Sequence, residues 1–375
     1  MNRSFLLPLM LVASAVLVSC GGNNALSFEG EGDTIPMRYA KNITMVRYGD
    51  DVKVELKNPW GKGLLATYIL TAADDADDNP NPNSQLSTLN YQLIEVPLQN
   101  ALVFTAVHCG LICELGMEAS IGGVCEKQYI HGLTKEVFDC GNGMAPNQER
   151  IIQLQPDAML VSPFESNTGN DKLGQLGIPI VECAEYMEPT ALGRAEWMKF
   201  YGLLFGKEAE ANRMFDVLVA RYDSLSALVR TSEKKPRILS EELYGSVWYQ
   251  PGVHSSIGQL YADAGAQTAF PQYTQSGSVP LSSEQVLAQA HDADLWLMRY
   301  DSDRPKTLAE LSSEASVYSQ FDAFRRGNVW ACNTRTTYFY ERSPFHPDRM
   351  LSDIIQICHP EVKLGQPMYF YEKIK

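Results

Sequence analysis

The sequence predicts an α/β protein in which two similar lobes are bridged by one long α-helix, with a strand-rich extension on the N-terminal side. Three observations carry that expectation. From about residue 94, short apolar runs (Leu102-Val103-Phe104, 158–161 and 178–181) alternate with helix-like stretches, the texture of a largely parallel sheet. A stretch without proline from Leu192 to about Arg230 reads as helical. A short pattern then occurs twice, once on either side of that stretch.

The first copy reads Asn147-Gln148-Glu149-Arg150-Ile151-Ile152 and continues to Pro156-Asp157-Ala158-Met159-Leu160. The second reads Ser282-Ser283-Glu284-Gln285-Val286-Leu287 and continues to His291-Asp292-Ala293-Asp294-Leu295. In each, aliphatic residues follow the glutamate two and three places on, Asp stands at the eighth place and Ala at the ninth. Both describe a short helix leading into a buried strand. Ser282 with Gln285 also fits a capping box.

The chain has 375 residues, 45% hydrophobic and 20% charged, which is an ordinary globular composition long enough for more than one domain. With 31 basic and 45 acidic residues its net charge is −14. Such a chain repels phosphate backbones, so no nucleic-acid partner is expected.

Taken in order, residues 1–19 form a signal peptide: Met1-Asn2-Arg3-Ser4 is a short positive leader, and Phe5 to Val18 is an apolar run too short to span. The run closes on Leu17-Val18-Ser19-Cys20, which resembles the lipobox of bacterial lipoproteins. That resemblance implies cleavage before Cys20, lipidation of its sulfur and an exported chain anchored to the membrane, facing the periplasm. Residues 20–34 then serve as a tether. Residues 35–93 are the strand-rich extension, with a hairpin between Asn42–Tyr48 and Val52–Leu56 around Gly49-Asp50-Asp51, and with an exposed loop at 74–84 rich in Asp, Asn and Pro.

Residues 94–207 form the first lobe. Gly202 and Gly206 are expected to break the helical stretch in two, and residues 208–232 form the bridging helix, with Ala209 to Val229 carrying Met214, Leu218, Tyr222, Leu225 and Leu228-Val229 near a 3.6-residue period. Residues 233–375 form the second lobe, with a strand near Ile238, a helix from Ser255 to Gly265 and a strand from Ala293 to Met298. Seven cysteines remain beside Cys20. Their spacings show no CxxC pair, so disulfides or small buried side chains are expected and no metal site.

The chain resembles the substrate-binding proteins of bacterial ABC importers for iron-siderophores, haem and cobalamin. The resemblance covers about residues 94–375. It rests on the run from Asn147 to Asp157, on Leu192-Gly193-Arg194-Ala195-Glu196-Trp197, on the loop Trp248 to His254, on the run at Ser282, and on Arg342 to Leu351. It implies two Rossmann-like lobes joined by a rigid helix, and a carrier that captures a metal chelate between them. It also implies that one glutamate on each lobe docks on arginines of the permease dimer, here Glu149 and Glu284. The partners are then a metal-chelate ligand, an ABC permease dimer and the membrane through the lipid anchor, with the carrier itself a monomer and no resident cofactor.

Ligands of open α/β sheets sit beyond the carboxyl ends of strands. The residues following the expected strands are therefore the candidates. On the first lobe they are His108, Lys127, Tyr129, Phe164 and Tyr186. On the second they are Trp248, Tyr249, His254, Tyr300, Tyr338, Tyr340 and Arg342. Aromatic faces suit a planar macrocycle or catecholate, and Arg and Lys suit an anionic chelate. Trp248 and Tyr249 lead, because Pro251-Gly252 makes their loop protrude. His108 is read either as an axial metal ligand or as a hydrogen-bonded histidine at a strand end, and Arg194 as a bond to a neighbouring helix.

No GxSxG, HExxH, Walker A or GxGxxG motif occurs, and no carboxylate pair has a spacing that argues for acid/base work, so an enzyme is not expected. A carrier of bare zinc or manganese is the alternative; it would set several histidines and carboxylates in the cleft, whereas this chain has six histidines and its expected cleft positions are mostly aromatic. A surface-adhesive lipoprotein would account for the anchor and the extension but not for the repeated pattern.

Overall fold

A computed structural model of the chain describes residues 31–72, 91–164 and 173–375. The leader, the lipobox with Cys20, most of the tether and the 74–84 loop lie outside the described residues.

The extension folds as a five-stranded sheet in the order Asp33–Ile35, Ile43–Tyr48, Asp51–Lys57, Leu64–Ala72 and Gln92–Val96. The first four are antiparallel neighbours, and the turn at 49–50 is made at Gly49, whose φ of +62° suits glycine. Val52, Val54 and Leu56 point inward, and Lys53 and Glu55 form an ion pair on the other face. Gln92–Val96 runs across residue 93 and pairs in parallel with Leu64–Ala72, so this sheet leads straight into the α/β part.

Two buried glutamates fix the extension. Glu196 accepts hydrogen bonds from the amides of Arg38 (2.8 Å), Tyr39 (2.7 Å) and Ala40 (2.9 Å) and pairs with Lys199 at 2.9 Å. Burial opposes its ionisation, but the three amides and Lys199 outweigh it and hold the carboxyl below the usual range. Glu188 accepts from the amides of Lys41 and Asn42 and from the Trp197 indole N–H.

The second sheet has the order Ile180–Glu182, Met159–Val161, Ala101–Val103, Ile121–Val124, Phe138–Asp139, and every pairing is parallel. The third has the order Gln267–Thr268, Arg237–Ser240, Leu295–Tyr300, Val329–Asn333, all parallel, with Glu372–Lys373 added antiparallel at the edge. In each, the first strand in sequence lies inside the sheet and the chain then runs outward both ways. That creates a switch point, where the loops beyond adjacent strands diverge and leave a crevice.

The chain between these sheets is helical. Ala191–Glu196, Met198–Leu204 and Glu208–Val229 follow one another. The break falls at Gly206, at φ +65°, and not at Gly202. Gly202 lies inside a helix, where a Cβ would stand 2.6 Å from that of Ala211, so this glycine lets two helices touch. The 22 residues of Glu208–Val229 span roughly 33 Å. Phe215, Leu218, Val219, Tyr222, Leu225 and Val229 face the core, and the helix packs on Met198–Leu204 and on Pro347–Cys358.

The repeated pattern corresponds to two helices, Gln148–Leu154 and Ser283–Ala290, each preceding a parallel strand. The aspartates pair differently from the sequence reading. Asp157 accepts from the amides of Gln99 and Asn100 at the entry to the first strand of its sheet. In the third sheet the residue that does this is Asp294, which accepts from the Arg237 amide, while Asp292 pairs with the Arg237 guanidinium. All seven described cysteines are unbridged, and all but Cys113 are buried.

A cavity at the carboxyl ends of both parallel sheets

Four strand ends converge on a cavity of about 390 Å³. From the second sheet, the segment after Ala101–Val103 contributes Phe104 to Val107, and the turn after Ile121–Val124 contributes Glu126, Tyr129 and His131. From the third, Asp301 follows Leu295–Tyr300, and Thr334, Arg335, Tyr338, Tyr340 and Glu341 follow Val329–Asn333. Two turns with left-handed backbone, Glu126 at φ +54° and Tyr338 at φ +52°, swing the chain out of the sheets and over the opening. A 240 Å³ pocket continues from Phe104, Thr105 and Glu126 toward Met144, Ser162 and Phe164. A 200 Å³ pocket lies behind Glu341, against Cys113, Glu114 and Arg342.

The two sheets' loops touch directly here. Glu341 Oε1 accepts from the amides of His131 (2.9 Å) and Gly132 (2.7 Å), and the His131 ring stacks on Tyr338 with centroids 5.5 Å apart. A Cβ on Gly110, in the helix Ala106–Glu114, would stand 2.1 Å from the Glu341 carbonyl oxygen, so only glycine fits. Glu114 Oε2 lies 2.6 Å from His346 Nε2. Burial depresses the His346 pKa, but Asp348 and then Glu114 outweigh it, so the imidazole titrates above its ordinary value.

Of the sequence candidates, Tyr129, Tyr338 and Tyr340 line the main cavity. Arg342 lines the smaller one with its guanidinium 4.9 Å from the Tyr338 ring centroid, and Phe164 lines the continuation. The others stand elsewhere. Trp248 is fully buried, its ring packed against Trp296, Tyr318 and Phe321 and its indole N–H donated to the carbonyls of Ser240 and Glu241. It is a core residue because Trp248–Pro251 pairs antiparallel with Ser278–Leu281 and does not protrude as a loop. On that ribbon Tyr249 points outward, and His254 is exposed beyond it; neither lines the three cavities. Tyr300 is buried.

His108 lies in the first turn of a helix and not at a strand end. It is fully buried, with Nδ1 3.1 Å from Thr105 Oγ1 and Nε2 3.5 Å from Glu185 Oε1. Arg194 stands 3.6 Å from the same carboxylate. Burial opposes ionisation of Glu185, yet His108 and Arg194 keep its pKa below the usual range. Lys127 lines none of the three cavities and pairs with Glu136 at 2.8 Å. The Tyr186 hydroxyl donates to the Pro163 carbonyl.

The sequence reading passed over Glu126, His131, Asp301, Thr334, Arg335 and Glu341. Glu126 and Asp301 follow their strands closely, and the strand-end argument would have reached them had it admitted acids beside aromatic and basic side chains. His131 and Glu341 come together only through the fold. Glu149 and Glu284 are both exposed, each the second residue after a cap, Asn147 and Ser282 respectively. Ser282 and Gln285 complete the capping box, and hydrogen bonding to the Ser282 hydroxyl leads the effects that lower the Glu284 pKa. Among the described residues no helix is long and apolar enough to cross a membrane.

Residues 108–336 match the family model described as periplasmic binding protein. An uncharacterized lipoprotein of Methanocaldococcus jannaschii is 25% identical over 365 residues, covering 90% of this chain and 85% of the relative. A periplasmic heme binding protein from Pseudomonas aeruginosa superposes with a TM-score of 0.57 at 16% identity, over 74% of this chain and 99% of that one. The Fe3+-Desferal-bound siderophore binding protein of Vibrio cholerae gives 0.53 at 18%, over 70% and 99%. The molybdate periplasmic binding protein of Haemophilus influenzae gives 0.58 at 15%, over 73% and 90%. These structures share the fold, and the family match runs from the helix after Ala101–Val103 to the segment after Val329–Asn333 that lines the cavity. The chain therefore belongs to the periplasmic binding protein family, the substrate-binding proteins of ABC importers.

Proposed function

We propose that this protein is the lipid-anchored substrate-binding component of an ABC importer, taking a metal chelate such as a ferric siderophore, haem or cobalamin. The observation that carries the reading is the cavity lined by Tyr129, Tyr338 and Tyr340 at the carboxyl ends of both parallel sheets. Aromatic walls with a few polar groups are what a bulky, partly apolar chelate needs. The names of the similar structures, which include heme, ferric hydroxamate and siderophore binders, support the same class.

In this reading the segments 94–207 and 233–375 are two lobes, and 208–232 is a stiff bridge that limits their relative motion. Glu149 and Glu284 are the docking residues, one per lobe. Cys20 holds the lipid, residues 20–34 tether the monomer to the membrane at the periplasmic face, and 35–93 is an addition outside the lobes. Transport energy comes from the importer's ATP hydrolysis, and the carrier does no chemistry. The test is calorimetric titration of the whole chain with cyanocobalamin, hemin and ferric hydroxamates. One-to-one binding of one of them, lost on Tyr340→Ala, supports the reading. Absence of binding by all of them to folded protein overturns it.

A further inference from the structure

The charge of the cavity is unlike that of its aromatic walls. Three carboxylates, Glu126, Asp301 and Glu341, line it against one guanidinium, Arg335. That guanidinium is already spent, paired with Asp301 at 2.6 Å and with Asp303. Glu126 is likewise engaged, accepting from the Gly143 amide and the Gln128 side chain. Glu341 differs. Its Oε1 takes two amides, but its Oε2 is buried and has no hydrogen-bond partner in the chain. The residue is only 6% exposed and lines both the main cavity and the pocket behind it.

A buried oxygen without a hydrogen-bond partner is costly, and a ligand donor removes that cost. Opposing charges are the Arg342 guanidinium, which is exposed over the Tyr338 ring, and the N-terminal end of Ala106–Glu114, worth roughly half a positive charge. Together they do not cancel the carboxylates. Tyrosine faces also attract cations.

Building on the carrier reading above, we propose that the cargo is a metal chelate of net positive charge, bearing an amine that donates to Glu341 Oε2 while the chelate body rests on Tyr129 and Tyr340. Anionic chelates such as ferric citrate are disfavoured by the same field.

The test uses the whole chain and two hydroxamate chelates that differ at one group. Ferrioxamine B carries a terminal ammonium; its N-acetyl derivative is neutral. Ferric citrate is the anionic probe. Ferrioxamine B is expected to bind at least tenfold more tightly than its acetylated form, with affinity falling as salt rises. Glu341→Gln keeps an acceptor for the two amides, and is expected to erase the difference between the two chelates. The salt dependence of the unmodified protein tests the same point without a variant. Equal or tighter binding of the acetylated form, or tighter binding of ferric citrate, overturns the charge assignment and leaves the carrier reading standing. No binding of any of the three overturns the proposal, and the carrier reading then rests on cobalamin and hemin.

Discussion

Glu149 and Glu284 occupy the same position in two different helices: each is the second residue past an N-cap that hydrogen-bonds back to the third, Asn147 to the Arg150 amide and Ser282 to the Gln285 amide. Capping needs only the Asn and the Ser. Neither carboxylate is required for it, and both are exposed, which leaves them free for the docking role proposed above. Replacing both with arginine is expected to abolish uptake in whole cells and to leave chelate affinity of the purified protein unchanged. The paired readouts are a transport assay and a titration, and lost affinity would contradict the docking assignment. An ion pair desolvated at such an interface costs roughly 2–5 kcal/mol when truncated.

Tyr129 and Trp248 should fail in different ways. Tyr129 is 60% exposed at the cavity, and its replacement by alanine is expected to weaken chelate binding by about 0.5–1.5 kcal/mol with an unchanged melting temperature. Trp248→Ala opens a hole among Trp296, Tyr318 and Phe321 and is expected to cost about 3–5 kcal/mol of stability, read by urea unfolding.

The difference between those residues marks what the sequence could and could not say. Strand-end logic reached Tyr129, Tyr338 and Tyr340, because those positions follow from local pattern alone. It misplaced Trp248 because the pairing of Trp248 with Leu281 is set by a strand more than twenty residues away. It offered Lys127, which pairs with Glu136 and lines none of the three cavities. The two repeated helices were legible from the pattern they share. The equivalence of Asp157 with Asp294 was not, since the second helix carries its strand two residues further along. Glu341 gave no signal, as its partners His131 and Gly132 lie over two hundred residues earlier.

Glu196→Ala strips a buried carboxylate from three amides and Lys199, and is expected to cost roughly 3–5 kcal/mol. The pH dependence follows from its lowered pKa. Its contribution is present above the unfolded value of 4.5 and is lost as pH falls through the lower folded value. Unfolding free energies measured between neutral and acid pH should therefore decline for the natural chain and decline less for the variant.

His346 works in the opposite direction. Its folded pKa is raised above the ordinary 6.5, so its stabilising effect is complete below that value and is lost as pH rises through the folded one. Asp348 and Glu114 face the imidazole, and Arg349 opposes them. Glu114→Gln is expected to flatten the loss of stability on the alkaline side of neutrality. An identical slope in both proteins, followed by urea unfolding across that range, would rule the pair out.

The two glutamates that hold the extension grip five consecutive amides, from Arg38 to Asn42, and so recognise main chain and not side-chain identity at the grip itself. Side chains add to the joint, Arg38 pairing with Asp216, Tyr39 packing on Phe215, Ala40 buried in the core and Asn42 donating to the Met187 carbonyl, but only one residue type removes a main-chain bond outright. Proline brings no N–H, so it is the residue that selection should keep out of these five positions. The joint is thus a backbone hook, held by two carboxylates whatever side chains decorate its outer face.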